Sequence, residues 1–153
     1  MDRQRLLERF SRYVRIHTTA NDETDDYPSS PGQWDLGKVL VEELNAMGAA
    51  DVVQDEHGLI YATVPGNVEG ETPVVALNSH LDTSPETSGE NVQPQVIDAY
   101  AGGDIVLPGD TSQVIRVSEN PELDSLHGAT LITTDGTTLL GGDDKAGIAI
   151  IME

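Results

Sequence analysis

Two apolar runs in this sequence end in residues that carry chemistry, and that pattern constrains the fold more than any other feature. Val74-Val75-Ala76-Leu77 leads into Ser79-His80-Leu81-Asp82-Thr83. Thr137-Thr138-Leu139-Leu140 leads into Gly141-Gly142-Asp143-Asp144-Lys145-Ala146-Gly147. Short continuous apolar runs suit strands buried inside a sheet. Side chains at strand ends in an open α/β sheet converge on a crevice. The expected fold is therefore α/β, with helices packed on a mixed, mostly parallel sheet. A histidine and a carboxylate arriving from two strand ends are parts of a zinc-type centre.

The flanking sequence supplies helices. Residues 2–16 place Leu6, Leu7, Phe10, Tyr13 and Val14 at helical spacing, with arginines on the other face. Residues 18–30 show no periodicity and read as a loop. A second helix is expected from Pro31 to the natural stop at Gly48. Residues 51–54 and 59–64 read as strands joined by a turn at Glu56-His57-Gly58, and residues 73–79 as a buried strand. Residues 84–126 are rich in Gly, Pro, Asp and Ser and read as a loop-rich excursion rather than a separate domain. Residues 130–133 and 137–140 flank Asp135-Gly136, a hairpin signal. A last helix begins after Asp143, and its pattern carries no stop signal before Glu153, so the chain is expected to be cut.

The 153 residues are enough for one domain with a core. The absence of cysteine removes disulfides and thiolate zinc sites, leaving His, Asp and Glu as ligands. No apolar run is long enough for a membrane span, no signal-peptide pattern opens the chain, and a cytoplasmic location is the default. The net charge of -19 argues against nucleic-acid binding, because such a surface repels phosphate. Five of the six arginines lie in the first fifteen residues, and Lys38 and Lys145 are the only lysines. This acidity fits surface adaptation to a salty interior better than a local binding patch.

Each candidate site residue has an ordinary structural alternative. His80 can ligate zinc through a neutral imidazole nitrogen while Asp82 accepts from the other ring nitrogen and sets the tautomer. Equally, a strand-end histidine can simply bond to backbone. Asp143 and Asp144 suit the start of a helix as caps. The Gly141-Gly142 turn with Lys145 is a poor phosphate loop, because two carboxylates there would repel the anion. His17, His57 and His127 sit at a helix end or beside turn glycines and read as structural.

The context of these motifs resembles a known family. The run from Leu131 to Ala149, with Gly32-Gln33-Trp34-Asp35-Leu36, His80-Leu81-Asp82-Thr83-Ser84, Asn91-Val92-Gln93-Pro94-Gln95 and Gly102-Gly103-Asp104-Ile105, is similar to the peptidase T (tripeptide aminopeptidase) family of dinuclear zinc exopeptidases. The resemblance runs nearly end to end and corresponds to the N-terminal part of that family's catalytic domain. It implies a zinc-exopeptidase-like domain over 1–153, a substrate-recognition (lid) domain outside the chain, and two zinc ions in the intact site. His80 would be a metal ligand, Asp82 the carboxylate that orients it, and Asp143 the bridge between the metals. The resemblance also implies a cis peptide bond after Asp143. The general base and remaining ligands would lie beyond Glu153, which makes the chain alone an inactive fragment. The substrates implied are tripeptides, and oligomerisation stays open. Two alternatives stand beside this reading: another zinc-dependent amidohydrolase, such as an N-acyl amino acid hydrolase, or a non-catalytic acidic interaction module.

Overall fold

Helix α1 (Arg3–Val14) starts where Asp2 can stop the chain from fraying. Its carboxylate accepts from the backbone N–H groups of Gln4 and Arg5, two of the donors a helix start leaves without partners. Phe10, Tyr13 and Val14 share the buried face that the spacing predicts. Helix α2 (Pro31–Ala46) begins at the proline, and Gly48, with φ of 80°, follows its end. The computed structural model describes all residues, Met1–Glu153.

Strands β1 (Ala50–Gln54) and β2 (Ile60–Thr63) form the expected antiparallel pair. Their turn is organised by Asp55, whose carboxylate accepts from the N–H groups of His57 and Leu59, while Gly58 takes a φ of 79°. Three more short strands lie in or beside the excursion: β3 (Gln95–Ile97), β4 (Ile105–Val106) and β5 (Val114–Ile115). A single 3-10 turn at Pro121–Ser125 precedes β6 (Leu131–Thr133), and α3 (Gly142–Ile151) closes the order.

The structure is α/β, but the mostly parallel sheet expected from the sequence does not form within it. The strands make three separate antiparallel pairs, β1–β2, β3–β6 and β4–β5. The one parallel pairing is an isolated bridge between Thr19 and Thr83. Residues 73–79 are outside any ladder, with Val74 96%, Val75 80% and Leu77 70% exposed. A strand of that composition is stable only when neighbours cover its faces and satisfy its backbone, and none reaches it here.

The hairpin expected at Asp135-Gly136 is likewise replaced. β6 pairs with β3, and residues 137–140 form no strand. The Asp135 carboxylate accepts from the N–H and hydroxyl of Thr137, and its carbonyl accepts from Gly109 and Asp110. Those bonds commit the turn to the excursion loop instead of to a two-strand register.

The main core is helical. Phe10, Tyr13 and Val14 of α1, Leu36 and Leu40 of α2, and Ile148 and Ala149 of α3 pack with Val92 and Met152. Ile148 is buried, whereas Ile150 and Ile151 on the same helix are 54% and 38% exposed. Tyr100, Ile105, Leu107 and Leu123 make a second, smaller cluster inside the excursion. The total accessible surface is 9809 Å². A folded monomer of this mass exposes about 7,500 Å² by the usual scaling, so more surface than usual stays uncovered.

Polar contacts lock the helices together. The Tyr13 hydroxyl donates to Glu43 Oε2 at 2.8 Å, Arg9 Nε lies 3.2 Å from the same oxygen, and Arg12 pairs with Glu43 Oε1. Burial, and then the bond to Glu43, raises the Tyr13 pKa. At the other end of α1, Arg5 and Arg9 grip the Glu153 carboxylate beyond α3. Lys145 of α3 is 2% exposed, and its ammonium donates to the Ile16 carbonyl at 2.7 Å.

Replacing Glu43 with Ala should cost about 2–4 kcal/mol of unfolding free energy, because a buried hydroxyl and a largely buried guanidinium lose their acceptor. Glu43→Gln, which keeps an acceptor oxygen, should lose less than half of that in urea titrations.

Burial lowers the Lys145 pKa from 10.5 to about 8. The folded chain therefore carries the full penalty of a buried charge below about pH 8, and the penalty fades as the pH rises toward the unfolded value. Lys145→Met should raise stability near neutral pH by about 2 kcal/mol, after allowing for the lost bond to Ile16. Thermal unfolding should show that gain shrinking as the pH rises from about 8 toward 10.5.

Candidate metal centre

The two motifs meet because both hold the same piece of chain, residues 16–20, just after α1. Thr83 donates its N–H to the Thr18 carbonyl and accepts from the Ala20 N–H, which anchors the segment following His80 and Asp82. Lys145 holds the Ile16 carbonyl from the α3 side. Gly141, at the N-terminal cap of α3, has φ of 76° and ψ of 28°. A side chain there would need the left-handed conformation and would sit 3.1 Å from the Thr83 methyl, so glycine suits the junction.

His80 and Asp143, 63 positions apart, consequently face each other. His80 Nε2 lies 3.0 Å from Asp143 Oδ1. The other ring nitrogen, Nδ1, lies 3.0 Å from the Asp82 carbonyl and 3.2 Å from Asp82 Oδ1. Partial burial alone would lower the His80 pKa. The hydrogen bond to Asp143 and the field of Asp82 together outweigh it, so the pKa stands above the ordinary 6.5. The Asp143 side chain is 95% exposed and the His80 side chain 50%, leaving both within reach of a solute.

The arrangement around Asp143 differs from simple helix capping. Gly141 occupies the cap position, and no side chain bonds there. Asp143 (φ -91°, ψ 105°) and Asp144 (φ -119°, ψ 27°) both lie off helical geometry, and the peptide bond between them is cis. Asp144, which sequence reasoning treats only as a helix-start residue, accepts from the Ser79 hydroxyl at 2.5 Å. No pattern in the sequence marks that pair, since each is a single residue next to a more conspicuous one. The remaining histidines stay apart from the site. His17 bonds to the Thr19 hydroxyl, His57 stands edge-on to Tyr27, and His127 lies against Tyr100.

The donor chemistry suits zinc as far as it goes. An imidazole nitrogen and a carboxylate oxygen are both zinc donors, and two atoms on one tetrahedral zinc lie about 3.3 Å apart, close to the separation seen here. No group of three or more His, Cys, Asp or Glu converges anywhere in the chain. His80 and Asp143 therefore fit as two members of a larger ligand set.

No protein-family model matches the chain. Over 150 residues it is 51% identical to a peptidase T of Geobacillus thermodenitrificans and 49% identical to a peptidase T of Listeria monocytogenes. These alignments cover 98% of this chain but 36% and 37% of those proteins. Among solved structures, a tripeptidase from Staphylococcus aureus superposes with a TM-score of 0.60 at 27% identity, over all of this chain and 31% of that one. An aminopeptidase from Bacillus cereus, at 23% identity and a TM-score of 0.57, shares the fold over 31% of its length. The chain is thus similar along nearly all of its length to peptidase T, and it spans about a third of the length of those relatives.

Proposed function

We propose that this chain supplies part of the two-zinc centre of an aminopeptidase that releases the N-terminal residue of tripeptides. The observation that carries the reading is the 3.0 Å approach of His80 Nε2 to Asp143 Oδ1, in a chain half identical to peptidase T. In this reading His80 is a terminal metal ligand and Asp143 the carboxylate shared by two metals. Bound zinc would supply a Lewis acid for the scissile carbonyl and an acidified water.

The residues of this chain prepare that site in identifiable ways. Asp82 holds the Nδ1 side of His80, which leaves Nε2 directed at Asp143 and raises its basicity as a donor. Asp143 presents two oxygens from a loop that α3 anchors, so one carboxylate can serve two cations. Its high exposure leaves room for further ligands. The same reading takes residues 1–153 as part of one catalytic domain, with 84–126 an excursion from it. Residues 73–79 become a strand of its mostly parallel sheet once neighbours pair with them. The general base, the other ligands and the substrate-recognition domain come from outside this chain. A cytoplasmic setting suits turnover of small peptides, and no helix is long and apolar enough to cross a membrane.

A chimera tests the proposal, with this chain replacing its counterpart in the Geobacillus thermodenitrificans relative. The chimera should release the N-terminal residue of tripeptides in a zinc-dependent manner. His80→Ala and Asp143→Ala should each lower kcat/KM by at least about 1000-fold, the scale on which a catalytic metal acts. Asp82→Ala should cost about 10–100-fold in metal affinity or activity. The 153-residue chain alone should show no turnover. Faster hydrolysis of N-acyl amino acids than of tripeptides, or full activity in the Asp143→Ala chimera, would overturn the assignment.

A further inference from the structure

We propose that Ser79 is a positioning residue for this site, acting through Asp144 to aim Asp143 at His80. The Ser79 hydroxyl has one proton to give and lies 2.5 Å from Asp144 Oδ2 and 2.9 Å from the Asp144 carbonyl. The carboxylate is nearer and charged, so it takes the proton's hydrogen bond. The rest of that carboxylate is folded over Gly147, where an added Cβ would sit 2.3 Å from Asp144 Oδ1. Asp144 is therefore held between a hydroxyl on one side and a glycine in the first turn of α3 on the other.

This contact joins the immediate neighbours of the two site residues. Ser79 directly precedes His80, and Asp144 directly follows Asp143. The backbone at Asp143 and Asp144 is off helical geometry, so the repeating bonds of α3 do not set its direction. The Asp143 side chain is 95% exposed, so little packing aims it either. Beside the grip of Thr83 and Lys145 on residues 16–20, the Ser79–Asp144 bond ties the two segments of the site directly to each other. Its service to metal binding rests on the function proposed above, whereas the contact itself is testable in the metal-free chain.

The test reads the ring ¹H and ¹⁵N resonances of His80 by NMR at about pH 5, where an imidazole is charged and both nitrogens donate. Nδ1–H reports the bond to Asp82, and Nε2–H the bond to Asp143. Ser79→Ala should speed solvent exchange of the Nε2 proton on the order of tenfold, the weight of one ordinary hydrogen bond, and leave Nδ1–H in place. Asp144→Ala should do the same, the double variant should add nothing further, and Ser79→Thr should restore the protected signal. If Ser79→Ala does not fold, Asp144→Ala alone provides the comparison, with the Nε2 signal moving toward its free position. An unchanged Nε2 signal in a folded Ser79→Ala or Asp144→Ala chain would overturn the proposal. So would parallel loss of both ring signals, which marks a merely structural role. A Ser79-dependent Nε2 signal in this chain, together with zinc-dependent tripeptide turnover that survives His80→Ala in the chimera, would uphold the contact and overturn the metal reading instead.

Discussion

The arrangement of this molecule depends on the burial of Tyr13 where its three helices meet. The side chain is 0% exposed, yet its hydroxyl needs an acceptor, and Glu43 of α2 provides it. Burying the ring is favourable only with that bond in place, because an unsatisfied hydroxyl in the core would forfeit much of the gain. Glu43 is in turn held by Arg9 and Arg12, so the charge of its carboxylate is compensated where water is scarce. One carboxylate on α2 thus sets how α1 lies against it, and α1 carries α3 through shared core residues. Since α3 carries Lys145 just after Asp143, the junction at Tyr13 reaches the candidate site through α3 as well as through residues 16–20.

The short segment after α1 performs the corresponding task on the other side. It is gripped at Ile16 by Lys145 and at Thr18 and Ala20 by Thr83. It also abuts the start of α2, where a Cβ on Gly32 would lie 1.6 Å from the His17 carbonyl. That approach requires a residue without a side chain, so the glycine is a condition of the close packing. Four parts of the chain that are remote in sequence therefore meet on a few backbone carbonyls. Main-chain contacts of this sort are insensitive to the surface acidity, which leaves the exterior free to carry its charge.

What the sequence makes legible is whatever depends on near neighbours. The helices announce themselves through periodic apolar residues and, for α2, through Pro31 and Gly48 at its ends. The β1–β2 turn is marked by Glu56-His57-Gly58, and the structure adds Asp55 as the residue that organises it. The shared placement of His80 and Asp143 after apolar runs points them to one crevice, and the structure has them 3.0 Å apart although neither run forms a strand. Residues 73–79 misled for a physical reason: hydrophobicity reports what a segment can bury, not whether a partner is there to bury it. Asp135-Gly136 marks a turn correctly, but a dipeptide cannot say which strands the turn will join. The Ser79–Asp144 bond, between single residues 65 positions apart, has no sequence signature at all.

The uncovered segment at residues 73–79 also bears on the fate of the chain during synthesis and storage. Val74-Val75-Ala76-Leu77 is a short, uncharged, β-prone stretch with an open backbone, the kind of template on which identical strands from other molecules can stack. The chain places Glu69 and Glu71 shortly before it and Asp82 soon after, and its net charge is -19. Such flanking charges act as gatekeepers, raising the cost of bringing two copies into register. Concentrated salt would weaken this guard by screening the flanking charges. The acidity that reads as mere surface composition thus also serves colloidal protection for a strand without neighbours.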